Sequence, residues 1–257
     1  DGVQGRLRAL FRTANPVTIP ISGTGSAGME AALVNFIEPG DTVVISTGGV
    51  FAERMCDIAE RAGARLLRVE AEWGTPAEPN RAEEALRSAG APVKLLAVVH
   101  GETSTGVLQP LEPLARLARE HGALFVVDAV ATLGGAPVDV DGIGIDICYS
   151  GSQKCLSCPP GLAPITISPR ANDLLLRRKS KVQSWYLDLS MVEKYWGGER
   201  TYHHTAPISM IYALAVALEL VEEEGLEARW RRHARNMEGL LAGLQALGLS
   251  SLPQPPY

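Results

Sequence analysis

The run Ala123-Leu124-Phe125-Val126-Val127-Asp128 decides how the chain is read. A short apolar run without polar alternation, closed by an acid, is the pattern of a strand covered on both faces. The flanking sequence supplies the covers. Upstream, VTIPIS (17–22), TVVIS (42–46), ARLLRV (64–69) and KLLAVV (94–99) read as strands, with helix-like stretches at 25–37, 50–62, 80–89 and 111–120 between them. Strands alternating with helices predict an α/β fold whose mainly parallel mixed sheet carries helices on both faces. Pro39-Gly40-Asp41 and His121-Gly122-Ala123 stand where helices have to stop before the next strand. Downstream, DICYS (146–150) and APITIS (163–168) read as two more strands. Beyond about 185 the pattern turns helical, with 209–224 amphipathic and 227–247 strongly charged on one face, which predicts a domain edge near 225.

Composition narrows the class. The 257 residues are 46% hydrophobic and 21% charged, with a formal net charge of -5. These are the proportions of a soluble globular protein with a sizeable core, and the charge leaves no broad positive surface for nucleic acid or anionic lipid. No apolar run reaches the length of a membrane span, and residues 1–15 lack the apolar core of a secretory leader. Four cysteines are too few for a disulfide scaffold of this length and suggest a reducing compartment. The expected protein is soluble and without nucleic-acid or membrane partners; its compartment is unknown, cytoplasm and an organelle matrix such as a peroxisome or mitochondrion both being open.

Three places follow strands and carry chemical groups. Ser22-Gly23-Thr24-Gly25-Ser26-Ala27-Gly28 joins a strand to a helix, so the first amides of that helix face whatever occupies the loop. A plain glycine turn, a phosphate cup and a dinucleotide fingerprint all fit it; against the last, the next strand ends in Ser46-Thr47 and not in an acid for a ribose. Asp128 puts a carboxylate at a strand's C-terminal end, where metal binding, helix capping or pairing with a ligand cation each explain it. Lys154 follows DICYSGSQ in a turn of small residues, where either a surface lysine or a desolvated nucleophilic amine fits. Together the three match the phosphate, ring nitrogen and aldehyde carbon by which pyridoxal 5'-phosphate has to be held. Cys155-x-x-Cys158 has redox spacing and could be joined with His203-His204 as a zinc site; against both, Pro159-Pro160-Gly161 follows at once and there is no second cysteine pair. The pairs Trp185-Tyr186 and Tyr195-Trp196 read as core or interface aromatics.

The segments HGETSTGVLQP (100–110), VDAVATLGG (127–135), YSGSQK (149–154) and YHHT (202–205) closely resemble the alanine-glyoxylate (serine-pyruvate) aminotransferases, over about residues 20–249. These belong to the class V branch of fold-type I pyridoxal-phosphate enzymes. The resemblance implies that Lys154 is the Schiff-base lysine, that Asp128 pairs with the pyridine nitrogen, that Val130 packs on the ring, that Phe51 stacks on it, and that Thr103 reaches its hydroxyl. It places the phosphate among Thr24, Gly25, Ser26 and Gln153, with Tyr202 and Thr205 reaching in from the second subunit of a homodimer; Ser26 stands where some relatives carry histidine. The implied reaction is transamination between an amino acid, alanine or serine, and glyoxylate or pyruvate, with the freed Lys154 amine moving the Cα proton.

The expected organisation is a cofactor-binding large domain over 1–224, with an incomplete N-terminal segment, and over 225–257 the first helix of a truncated C-terminal domain. No arginine in 1–257 matches the family's substrate-carboxylate clamp. The rival readings are a cysteine-desulfurase-like reaction, which Phe51 in place of a stacking histidine disfavours, a cofactor-binding scaffold without turnover, and a nicotinamide dehydrogenase.

Overall fold

The computed structural model describes residues 2–253, so residues 254–257 of the proline-rich end lie outside the described part. Seven strands form the main sheet: β1 (Val17–Ser22), β2 (Thr42–Thr47), β3 (Arg65–Glu70), β4 (Val93–Val99), β7 (Leu124–Asp128), β8 (Ile147–Tyr149) and β9 (Leu162–Ile167). The two-residue strands β5 (Gly101–Glu102) and β6 (Val107–Leu108) pair in a separate hairpin. In space the order is β1-β9-β8-β7-β4-β2-β3. Neighbours from β8 to β3 run parallel, and β9 alone is antiparallel to both strands beside it. This is the mainly parallel mixed sheet expected from the sequence.

Strand alternation divides the core. Val44, Leu96, Val98, Phe125 and Val127 point to one face. Helices α1 (Gly2–Phe11), α4 (Pro79–Ser88), α5 (Glu112–Glu120), the short α6 (Val140–Ile143) and α9 (Ile208–Glu224) add their apolar residues there. Val43, Ile45, Leu95, Ala97, Leu124 and Val126 point the other way. On that side α2 (Gly25–Val34), α3 (Val50–Arg61), α7 (Pro169–Leu176) and α8 (Leu189–Trp196) close the layer. Each buried Val, Leu or Phe contributes about 1.5–3 kcal/mol, so two continuous apolar layers hold the sheet between them.

Differences from the expected elements have local causes. Helix α2 stops at Val34 and not at 37, because the buried Asn35 bonds across to the Leu187 carbonyl at 2.7 Å and the Leu189 amide at 2.9 Å. The N-terminal residues, read only for a leader, form the amphipathic α1, which buries Leu7, Leu10 and Phe11 and is pinned to α9 by Arg6 ion pairs with Glu219 and Glu222. At Gly225, with φ +78°, the chain leaves α9 and starts α10 (Leu226–Ala246). Among the described residues no helix is long and apolar enough to cross a membrane.

Candidate functional site

Because β1, β2, β4, β7 and β8 point the same way, Ser22, Thr47, Val99, Asp128 and Tyr149 all leave the sheet along one edge. Open α/β sheets bind ligands beyond this edge. Thr24–Ser26, Phe51, Thr103, Val130 and Gln153-Lys154 all lie on segments that emerge from it.

Asp128 is 3% exposed at the end of β7. Its Oδ1 accepts the Val130 amide at 2.8 Å, and its Oδ2 accepts the Tyr149 hydroxyl at 2.8 Å. Burial pushes its carboxyl up to about 6, although both hydrogen bonds oppose the rise. Desolvation therefore wins, and the ionised group gains most from a cationic partner. One residue upstream of the hairpin, His100 donates its amide to the Asp128 carbonyl and shares a 2.8 Å Nδ1 hydrogen bond with Thr132. Burial lowers its pKa to about 4, so its imidazole is neutral near pH 7.

The loop after β1 enters α2 with extended backbone at Thr24, whose side chain makes no capping bond. Among the described residues no acceptor meets the amides of Gly25 and Ser26, which are donors for an anion at that helix start. A Cβ on Gly25 would lie 3.0 Å from Val130, and one on Gly151 would lie 2.9 Å from Gln153 Oε1. Residues 25, 130, 151 and 153 therefore enclose one small cradle, and glycine at 25 lets the helix start approach Val130. Phe51 is half-buried in the first turn of α3. That turn is held by the buried Glu102, whose Oε2 accepts the Phe51 and Ala52 amides at 3.2 and 3.3 Å.

Lys154 stands in the turn beyond β8, where its carbonyl accepts the Ser157 amide at 2.9 Å. In the single chain its side chain is exposed. Gly151 and Ser152 take the buried positions, and the Ser152 hydroxyl donates to the Pro159 carbonyl at 2.7 Å, which closes the loop behind the lysine. Thr103 is exposed at the tip of the β5–β6 hairpin. Tyr202 and Thr205 are exposed and share a 3.2 Å hydrogen bond; among the described residues neither is bonded to Thr24, Gly25 or Ser26. Their segment reaches β1 through His204, whose Nε2 lies 2.7 Å from the Ser22 hydroxyl.

The histidine pair shares a 2.8 Å Nδ1–Nδ1 hydrogen bond, and His203 stacks on Trp185 with ring centroids 4.5 Å apart. Among the described residues no group of three His, Cys, Asp or Glu side chains is placed to hold a metal ion. Cys155 and Cys158 are free thiols.

Three residues of the site escaped the sequence reading. Arg54 donates to the Ser26 hydroxyl at 3.1 Å and lies over the Phe51 ring, 5.1 Å from its centroid. The only signal for it was its position one turn after Phe51. Tyr149 and Glu102 lay inside quoted motifs, but nothing in a linear pattern shows that their polar ends point at Asp128 and at α3.

The chain resembles known proteins along most of its length. Residues 2–256 match the family model for aminotransferase class-V. The chain is 42% identical over 259 residues to an alanine–glyoxylate aminotransferase of Callithrix jacchus, covering 100% of this chain and 62% of that protein. It is 43% identical over 261 residues to the (S)-ureidoglycine–glyoxylate transaminase of Bacillus subtilis, covering 95% and 62%. The crystal structure of an alanine–glyoxylate aminotransferase from Nostoc sp. superposes with a TM-score of 0.94 at 48% identity, over 97% of this chain and 66% of that one. The chain thus spans a little under two thirds of the length of these relatives.

Proposed function

Since this chain belongs to the class-V aminotransferases, we propose that it forms the cofactor-binding part of a pyridoxal-phosphate-dependent enzyme that transfers an amino group from alanine or serine to glyoxylate or pyruvate. The observation that carries this reading is the convergence of a buried carboxylate, a helix start with free amides and a lysine turn around Val130 at one sheet edge. Glyoxylate as acceptor is supported by the relatives, two of which differ in amino donor while both carry glyoxylate in their names.

The residues present fit the cofactor. Asp128, whose buried carboxyl titrates near 6, is suited to a protonated ring nitrogen. The unpaired amides of Gly25 and Ser26, with the hydroxyls of Thr24 and Ser26 and the Gln153 amide, are suited to a phosphate. Val130 and Phe51 supply apolar faces for the ring, and Thr103 a hydroxyl at its rim. Pyridoxal phosphate, when bound, supplies an aldehyde carbon for an amine to join and a ring that accepts an electron pair.

Lys154 would hold the cofactor through its ε-amine and be set free when the substrate amine takes its place. Its freed ε-amine would accept the proton from the substrate Cα and pass it on as a general acid. Asp128 would pair with a protonated ring nitrogen, the form in which the ring can accept the electron pair left at Cα. Water would release the first keto acid, and the same lysine amine would then return a proton to the Cα of the acceptor keto acid. Tyr202 and Thr205 are assigned to the phosphate of a second copy in a homodimer, and residues 225–257 to the start of a separate C-terminal unit.

Borohydride reduction of the full-length protein with pyridoxal phosphate, followed by peptide mass analysis, is expected to label Lys154. A label elsewhere, or none, overturns the assignment. Alanine and serine are then assayed against glyoxylate and pyruvate; turnover confined to other amino donors reassigns the substrate.

A further inference from the structure

Helix α10 is attached to the chain by an uncommon contact. Along its 21 residues the buried side chain is a cation, Arg229, which is 6% exposed. Its Nη1 donates to Glu224 Oε2 at 2.7 Å, and its Nη2 donates to the backbone carbonyl of Cys155, the residue after Lys154. Arg232, nearly one turn on, grips both oxygens of the same carboxylate at 2.5 and 2.8 Å. Glu224 is the last residue of α9, and Gly225 breaks the helix beside it. The end of α9, the first turn of α10 and the lysine turn therefore meet at one guanidinium.

Apolar packing is the ordinary way to attach a helix. A buried cation gains little stability for its desolvation, but a planar fork between two fixed acceptors defines position closely. The Nε of Arg229 is enclosed without an acceptor, so the two made bonds govern where the group sits. Neither Lys154 nor Gln153 is buried, which leaves the turn to be fixed from behind. Cys155 is where that happens: its thiol donates to the Ala131 carbonyl at 3.3 Å while its carbonyl accepts from Arg229.

We propose that Arg229 is a positioning residue for Lys154. By holding the Cys155 carbonyl it sets the direction of the turn from which the lysine projects, and it ties that direction to the placement of α10. The proposal rests on Lys154 being the cofactor lysine. Misplacing a reacting group by about 1 Å costs on the order of a hundredfold in rate, so a loosened turn is expected to act on the proton-transfer step rather than on substrate binding.

The test uses the full-length protein with its cofactor and four variants: Arg229→Met, Arg229→Lys, Glu224→Gln and Arg12→Met. The last removes a different clasp on α10, in which Arg12 pairs with Glu227 and lies 4.7 Å over the Trp230 ring. R229M and E224Q are expected to lower kcat about tenfold or more with KM changed less than about twofold. R229K, which reaches one acceptor but not both, is expected to restore part of the loss, and R12M to leave kcat unchanged. In cofactor-free protein, hydrogen exchange at the Ser157 and Cys158 amides, which close the turn onto the Lys154 and Ser152 carbonyls, is expected to speed up in R229M and E224Q but not in R12M. If R229M does not fold, E224Q decides. Unchanged kcat and exchange, a change confined to KM, or an equal loss in R12M overturns the proposal. Borohydride labelling of the wild type is run beside it: failure there removes the lysine assignment, whereas normal labelling with silent variants removes only the role of Arg229.

Discussion

Asp128 and His100 are neighbours at the end of the sheet, and burial moves their pKa values in opposite directions. Asp128 rises to about 6 from the roughly 3.9 of an exposed aspartate, so its contribution to stability is full below about pH 4 and is lost as pH rises through 6. His100 falls to about 4 from roughly 6.5, so its contribution is full above about pH 6.5 and is lost as pH falls through 4. Each shift corresponds to about 3 kcal/mol, and the two slopes oppose each other over the same window. Cofactor-free protein is therefore expected to show a shallow stability profile between pH 4 and 6.5 in urea unfolding. Asp128→Asn is expected to expose the histidine slope, with stability climbing toward neutrality and exceeding the wild type by about 2 kcal/mol at pH 7 after the loss of one hydrogen bond. His100→Asn is expected to show the reverse slope. Parallel profiles for all three proteins would show that burial does not control these groups.

At the scale of the element, helix starts matter more than helix interiors. Helix α3 carries Phe51 in its first turn, and no side chain of its own caps it. Glu102 does so from the hairpin, with Oε1 taking the Ser104 amide and hydroxyl at 3.1 and 2.6 Å while Oε2 takes the two helix amides. Glu102→Ala leaves these donors unpaired, the Ala52 amide among them buried, and is expected to cost about 1–3 kcal/mol. Glu102→Gln keeps one acceptor and is expected to recover about half of that. Unfolding midpoints of the two variants check this, and equal midpoints for Ala and wild type would refute the capping role. The hairpin is also the element that sequence periodicity could not find: strands of two residues contain no repeat, and β5–β6 exists because Gly106, at φ +86°, turns the chain back on Glu102.

For the whole molecule, the proposed assignment of Tyr202 and Thr205 makes a claim about two copies. Tyr202 and Thr205 are exposed, and among the described residues their side chains are bonded only to each other, as suits groups assigned to a neighbour. Mixing inactive Lys154→Ala chains with Tyr202→Ala/Thr205→Ala chains, then reassembling them, tests this. If the pair crosses the interface, half of the dimers are hybrids with one intact site each, and activity is expected to return to about a quarter of wild type. Sites completed within one chain would give no such recovery.

The alternation of apolar runs and helical stretches determined by itself that this chain builds a covered parallel sheet, because side-chain period is a local property of the backbone. The same reading put Asp128, Lys154 and the 22–28 loop at strand ends, where such sheets carry their ligands. Strand order was out of its reach. That β9 turns antiparallel and brings β1 beside it follows from pairing between residues 17–22 and 162–167, a long-range closure with no sequence period. The tertiary structure alone also decided which polar groups meet: Tyr149 with Asp128, Arg54 with Ser26, Arg229 with the carbonyl behind Lys154. Residue type supplies a charge or a hydroxyl, but its partner, its burial and hence its pKa arise only when distant segments pack and exclude water.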